Sequence, residues 1–400
     1  MSIVEPLLFP DPEVLPEPQQ DELLVSVVIP CLNEADNIER CVTWARTTLA
    51  EHGIPGEVVV ADNDSEDASA ALALAAGARV VHERRRGYGN AYMAGFAAAR
   101  GRHIVMADAD LTYDFGEIPR FLAELEAGAD LVMGDRMDGI QPGAMPWLHR
   151  YIGNPILSGT LNVFFRTGVR DAHCGMRAFR RDKLEALDLR TTGMEFASEM
   201  VIRAAKAKLA IRQLPIDYHP RGGTSKLSSF RDGWRHLRFL LVHSPTHLFV
   251  IPGAVLLAIG VLVALVSLSH IEVLGREWQL HSMIAGSLLA IVGTQVLALG
   301  LCAHAYGSYF MGEREPWFDR MRARFRLEHG LLAGGAIAGA GGLIAAAIAL
   351  TWIQRGFGSL SEERLLVAAS ALIIVGLQIL FSSFLLSILG LRRRDAVSTD

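Results

Sequence analysis

Three short clusters combine the residue types that act on phosphorylated substrates: Pro30-Cys31-Leu32-Asn33-Glu34, Asp62-Asn63-Asp64-Ser65 and Asp108-Ala109-Asp110. The last is the sharpest. Two carboxylates with one small residue between them, just past an apolar run, can share a divalent cation and a diphosphate. Mg²⁺ and Mn²⁺ take oxygen ligands and commonly keep part of their shell for substrate phosphates. Alone, such a pair more often ends as a solvated loop or a helix start. Asp62 could accept hydrogen bonds from a base or ribose, or close an Asx turn; Asp64 and Ser65 read as turn and helix cap. Arg84-Arg85-Arg86-Gly87-Tyr88-Gly89 lacks both the GK[ST] of a P-loop and a full GxGxxG, so its arginines read as a solvated cluster. Asp171, His173 and Cys174 read as loop residues rather than metal ligands. No HExxH, nucleophile elbow or CxxC competes.

The elements that must position these clusters are legible over residues 23–227. Leu24 to Pro30 is a β-branched apolar run, and Ile38, Cys41, Val42, Ala45 and Leu49 recur at helical spacing. A strand follows at Glu57 to Ala61, then an Ala-rich helical stretch, then strands at Arg79 to His82, His103 to Ala107 and Asp130 to Gly134 with helices between them. Such alternation predicts an α/β domain with a parallel sheet covered on both faces, its ligands beyond the carboxyl ends of the strands.

The back of the chain is different. Long stretches without charge run from Pro245 up to Glu272, His281 to Gly312, Gly330 to Gln354 and Leu365 to Leu391. Each reaches the roughly 20 residues that span a hydrocarbon core about 30 Å thick, so four transmembrane helices are expected over 245–391. The loop between the second and third carries Arg314, Arg320, Arg322, Arg324 and Arg326, and the tail 392–400 carries Arg392, Arg393 and Arg394. By the bias of basic residues to the inner side, both termini and the α/β domain face the cytoplasm of a multi-pass cell-membrane protein. Residues 228–244, with Trp234 among arginines, predict a juxtamembrane amphipathic helix, and 313–329, with Trp317, Met321 and Phe325, a second interfacial segment. Gly330, Gly334, Gly335, Gly339, Gly341 and Gly342 allow close helix approach, within the chain or between copies of a homo-oligomer.

Residues 1–22 are acidic and proline-rich, the composition of a disordered tail, and no signal peptide is visible. Cys31, Cys41, Cys174 and Cys302 are widely spaced, which argues against a disulfide framework and fits a reducing compartment. With 38 basic against 43 acidic residues and no basic stripe interleaved with aromatics, a nucleic-acid partner is not expected.

In this order, Val28-Ile29-Pro30 with Asn33-Glu34, Asp62 with Ser65 and Asp67, Gly87 with Gly89, Asp108-Ala109-Asp110, Gly134-Asp135-Arg136, Asp171 to Arg177 and Thr224-Ser225-Lys226 resemble family 2 glycosyltransferases of the GT-A (Rossmann-like) fold. The resemblance covers roughly residues 24–245 and is to polyprenyl- or dolichyl-phosphate sugar synthases, including dolichol-phosphate-glucose synthase-like proteins. It implies that Pro30, Asn33, Glu34 and Asp62 line the nucleoside site. Asp108 and Asp110 would hold Mg²⁺ or Mn²⁺ with the donor diphosphate, and Arg136 and Arg150 would clamp an acceptor phosphate. Arg221 and Lys226 would close over the donor phosphates, and Glu199 would be the acidic residue near the sugar. Thr112 stands where mannosyl relatives tend to have Gln, and Asn63-Asp64 replaces a common Asp-Gly, which leaves UDP- and GDP-hexoses both open.

Chemistry supports the same class. A phosphate monoester, with a second pKa of about 6, arrives largely dianionic and needs no base to become a nucleophile. The enzyme must then supply a cation for the leaving diphosphate, arginine forks for the attacking phosphate and a mouth at membrane level. One displacement with inversion follows. A processive polysaccharide synthase would carry a QxxRW string, which is absent here. A non-catalytic scaffold or lipid-carrier flippase subunit is the alternative from another class; intact Asp108 and Asp110 argue against it.

Overall fold

Val25, Val27, Val28 and Ile29 have no exposed surface, which only a strand covered on both faces can achieve. They form β1 (Val25–Cys31) in a computed structural model that describes residues 23–222, 229–269, 271–273, 275–310, 315–357 and 362–391. Residues 1–22, Lys226 and its neighbours Thr224 and Ser225, Arg314 and the basic stretch at 392–394 lie outside the described residues. The chain divides into two compact units between Leu240 and Leu241.

In the first unit β1 is followed by α1 (Ile38–Glu51), β2 (Gly56–Asp62), α2 (Ser69–Ala75), β3 (Arg79–His82), α3 (Tyr88–Ala98), β4 (His103–Met106), α4 (Ile118–Glu126) and β5 (Leu131–Asp135). Then come α5 (Asn154–Phe165), β6 (Arg177–Arg180), α6 (Leu184–Leu187), α7 (Phe196–Lys206), β7 (Ile211–Pro215) and α8 (Ser229–Val242). The sheet order is β3-β2-β1-β4-β6-β5-β7. One face packs on α1, α2 and α4 through Ile38, Val42, Leu49, Ala73, Phe121 and Leu125. The other packs on α3, α5 and α7 through Tyr92, Phe96, Leu161, Phe196 and Met200.

The strands expected from the apolar runs are present, but the sheet is mixed, not parallel: β6 enters antiparallel between β4 and β5. Its residues, Arg177-Ala178-Phe179-Arg180, show too little apolar run or alternation to announce a strand. Its central place is possible because Arg177, wholly buried, donates to the carbonyls of Cys174, Ala172 and Ala197 at 2.8–2.9 Å. A buried guanidinium is tolerated when its donors are satisfied.

α8 buries His236 and Leu240 against the first unit while Trp234 stays 57% exposed. The second unit contains α9 (Ile251–Ser269), α10 (Leu280–Phe310), the short α11 (Pro316–Arg324), α12 (Leu327–Gln354) and α13 (Glu363–Leu391). Among the described residues, four helices here are long and apolar enough to cross a membrane: Thr246–Ser269, Leu280–Phe310, Leu327–Gln354 and Glu363–Gly390. Close helix contact is made by small residues. A Cβ on Gly260 would stand 2.6 Å from the Gly286 carbonyl, and one on Gly334 would stand 2.7 Å from that of Gly376. Gly334 and Gly341 thus serve packing within the chain, whereas no atom of the described residues lies within 4 Å of a Cβ on Gly335, Gly339 or Gly342.

Candidate active site

Strand β1 is where the sheet order turns, with β2 on one side and β4 on the other, and open α/β sheets bind ligands beyond the carboxyl ends at such a point. Asp62 ends β2 and is nearly buried. Its Oδ2 lies 3.2 Å from His82 Nδ1, while Oδ1 is buried without a hydrogen-bond partner among the described residues. An orphaned buried acceptor is costly, so a ribose hydroxyl or base N–H placed there would be well bound.

Pro30, paired with Ala61 in the sheet, leads into Asn33, whose φ of 53° turns the chain. The Asn33 N–H donates to Ser65 Oγ at 3.0 Å, and its Oδ1 accepts from the Glu66 N–H at 2.8 Å. The Glu34 N–H donates to Ser69 Oγ at 2.8 Å. Asn33 and Glu34 therefore clasp the loop after β2 beside Asp62. Asn63, whose role the sequence did not reveal, holds the next loop: its Nδ2 donates to the carbonyls of Glu83 and Arg85, and its Oδ1 accepts from the Gly87 N–H at 2.7 Å. Arg85 and Arg86 pair with Glu83, Asp64 and Glu66 at the surface, as a solvated cluster does.

Asp108 and Asp110 follow β4. Asp108 Oδ1 accepts from Tyr88 (2.9 Å) and Tyr92 (3.2 Å), both carried by α3. Burial, and then the charge of Asp110, raise the Asp108 carboxyl to about 6. Asp110 Oδ1 accepts from the Thr112 hydroxyl at 2.6 Å, and Oδ2 from Arg221 Nε at 2.7 Å. A Cβ on Gly175 would come within 2.6 Å of Asp108 Oδ2, so only glycine leaves that oxygen its space. Tyr113 accepts from the Gly175 N–H at 2.6 Å and holds this loop in place.

The donor set fits a hard cation: two neighbouring carboxylates in surroundings that resist a second negative charge. Among the described residues no group of three or more His, Cys, Asp and Glu could hold a metal, so phosphate oxygens and water would complete the shell.

The two arginines expected at an acceptor phosphate have different surroundings. Arg136 is buried and bidentate to Asp171, at 2.6 and 2.9 Å, with its guanidinium 4.9 Å from the Tyr218 ring centre. Burial opposes the charge on Asp171, but Arg136 holds its carboxyl below the ordinary range. Asp171 is thus spent on Arg136; burial presses His173 down to about 3 and raises the Cys174 thiol to about 12. This is a structural loop. Arg150 has no carboxylate partner among the described residues: its guanidinium lies over the Tyr151 ring, 5.4 Å from its centre, and makes a long 3.4 Å contact to the Ile140 carbonyl. It sits in a stretch the sequence reading missed, where Trp147 (66%), Tyr151 (57%) and Ile156 (57%) are exposed together with Leu148 and Ile152. Pro146, Gly153 and Pro155 obscure the helical period there.

Glu199, in α7, spends both carboxylate oxygens on the N–H groups of Arg190 and Thr191, at 2.7–3.1 Å. That loop in turn accepts the Gly89 N–H through the Thr192 carbonyl at 2.9 Å. The geometry makes Glu199 a brace for the residues around Gly89, with no described contact to Asp108 or Asp110.

The sequence profile described as "Glycosyl transferase family 2" matches residues 26–188, and that described as "Glycosyltransferase family 2 C-terminal transmembrane region" matches 301–390. The chain is 42% identical over 388 residues to the low-salt glycan biosynthesis hexosyltransferase Agl6 of Haloferax volcanii, covering 96% of this chain and 92% of the relative. The dolichyl-phosphate hexose transferase of the same organism is 36% identical over 179 residues, 44% of this chain and 76% of that one. Among solved structures, glucosyl-3-phosphoglycerate synthase from Mycobacterium tuberculosis, in complex with Mn²⁺, UDP and glucosyl-3-phosphoglycerate, is similar at a TM-score of 0.44 and 22% identity, over 55% of this chain and 78% of that chain.

Proposed function

The chain is a membrane glycosyltransferase of family 2, and we propose that it moves a hexose from a nucleotide sugar to polyprenyl or dolichyl phosphate with inversion. One observation carries the acceptor: Arg150, a cation without a carboxylate partner, stands in an exposed apolar stretch, which suits a phosphate on a greasy chain. Similarity to the 36%-identical dolichyl-phosphate hexose transferase supports the same reading.

Asp62 Oδ1 accepts a hydrogen bond from the nucleoside, beside the turn of Pro30, Asn33 and Glu34. Asp108 and Asp110 are the residues that would hold Mg²⁺ or Mn²⁺, an ion that would neutralise charge on the departing diphosphate. Arg221, now on Asp110, is within reach of the same diphosphate, and Lys226 is proposed to join it. Arg150 orients the acceptor phosphate for attack on the anomeric carbon, and Arg136, its charge balanced by Asp171, stands in the proposal as a rigid hydrogen-bond donor for the same phosphate rather than as a free cation. Because the nucleophile is already ionised, no side chain has to take its proton. Glu199 acts by holding the 190–192 loop. The α/β domain and both termini face the cytoplasm, a placement supported by the arginines between the second and third spans.

The test is to incubate the purified protein with polyprenyl phosphate, Mg²⁺ or Mn²⁺ and labelled UDP- and GDP-hexoses, and follow label into the lipid phase. Transfer from one donor with an inverted anomeric centre is expected; a retained configuration, or no transfer from any donor, refutes the proposal.

A further inference from the structure

At the opposite end of the sheet, an open cleft of about 670 Å³ is lined by Arg100, Arg102, Arg180 and Arg181 and one carboxylate, Asp182, with Leu23, Phe96 and Leu184 among its apolar walls. Antiparallel pairing creates it. His103 opposes Arg180, so the residues just before β4 and just after β6 are neighbours, and the Arg181 N–H donates to the Arg102 carbonyl at 3.0 Å. The support is rigid: Ser26 Oγ accepts from the Arg100 and Gly101 N–H groups at 3.0 and 2.8 Å, and Glu57 also accepts from Arg100 N–H at 2.9 Å.

The charge there is only partly answered. Asp182 pairs with Arg180, and Glu126, shared with His103, lies 3.8 Å from Arg102. Arg100 and Arg181 have no carboxylate partner among the described residues; Arg181 makes only a 3.4 Å contact to the Ala99 carbonyl. Guanidinium groups that line one cleft on a rigid backbone support repel one another until an anion joins them, and their forks match phosphate oxygens. The cleft is not the transfer site. It opens before β4, whereas Asp108 follows β4, and its four residues alone span about 13 Å at about 3.3 Å each.

We propose that this cleft binds a phosphate- or diphosphate-bearing anion, a second anion site independent of the donor and acceptor sites. The ligand's source is either a free diphosphate or the headgroup of a lipid phosphate, with the apolar wall available to a chain.

The experiment uses the full-length protein in a neutral detergent with chelator present, so that binding of diphosphate through a cation at Asp108 and Asp110 is suppressed. Inorganic pyrophosphate and a short-chain phosphatidate are titrated calorimetrically. Saturable binding is expected that weakens at least tenfold in R100A/R181A, by less than threefold in the charge-keeping R100K/R181K, and not at all in D110N. Tighter binding of phosphatidate than of pyrophosphate assigns the lipid source; the reverse order assigns the free anion. No binding of either, or equal binding by wild type and R100A/R181A, overturns the site. A melting curve establishes that each variant is folded. Residues 1–22, which precede Leu23, carry six acidic residues, the last two of them Asp21 and Glu22. Binding that appears only after their removal assigns the cleft to that segment and likewise overturns the proposal.

Discussion

Replacing Asp108 by Asn should stabilise the metal-free protein while abolishing transfer. The Asp108 carboxyl is raised from 3.8 to about 6, first by burial and then by Asp110. Two units correspond to about 3 kcal/mol at about 1.36 kcal/mol each. Because part of the residue's surface stays open, solvent screening trims this to about 1–2 kcal/mol. An amide oxygen can still accept from Tyr88 and Tyr92, so the variant loses the charge and keeps those bonds. The sign follows from a folded-state value above the unfolded one. Below about pH 4 the acid is protonated in both states and costs nothing; as pH rises through about 6 the folded protein ionises at a penalty that is complete above pH 7. Thermal melting with chelator should therefore place D108N about 2–8 °C above wild type at pH 8, with the gap closing toward pH 4. Adding Mg²⁺ should raise wild type and leave D108N unmoved. A variant equally or less stable at pH 8, or a gap independent of pH, refutes the view that Asp108 is held ionised at a cost for a cation.

Gly175→Ala should weaken metal-dependent donor binding tenfold or more in calorimetry with small change in melting, since its Cβ would crowd Asp108 Oδ2; unchanged binding would show that this oxygen is not used. Asp171→Ala leaves the buried guanidinium of Arg136 unpaired and should cost about 3–5 kcal/mol in denaturant unfolding, against under 1 kcal/mol if the pair were solvated. Arg150→Ala should raise KM for polyprenyl phosphate at least tenfold and leave KM for the nucleotide sugar within twofold; the converse pattern would move Arg150 to the donor.

The runs that form β1, β2, β4 and β5 were legible because buried strands are apolar on both faces, and the acids at their ends were legible because they break those apolar runs where the strands stop. What sequence could not show is how charge is partnered. Arg136 looks like a free phosphate clamp until Asp171, 35 positions away, is seen to hold it at 2.6 Å. Glu199 has the composition of a catalytic acid, yet its oxygens are taken by two backbone N–H groups. β6 escaped notice because Arg177 and Arg180 mask its short apolar centre, and the basic cleft depends on that same pairing. The transmembrane helices were the plainest reading, because absence of charge over such lengths has few other causes.

The central claim is that an ionised phosphate on a lipid attacks the sugar. Its most direct measurement is the rate of label transfer from the preferred nucleotide sugar to polyprenyl phosphate beside the unphosphorylated polyprenol, at equal concentration in one detergent. Robust transfer to the phosphate and none to the alcohol is expected. Comparable transfer to the alcohol would contradict the account, since the chain would then have to provide a base.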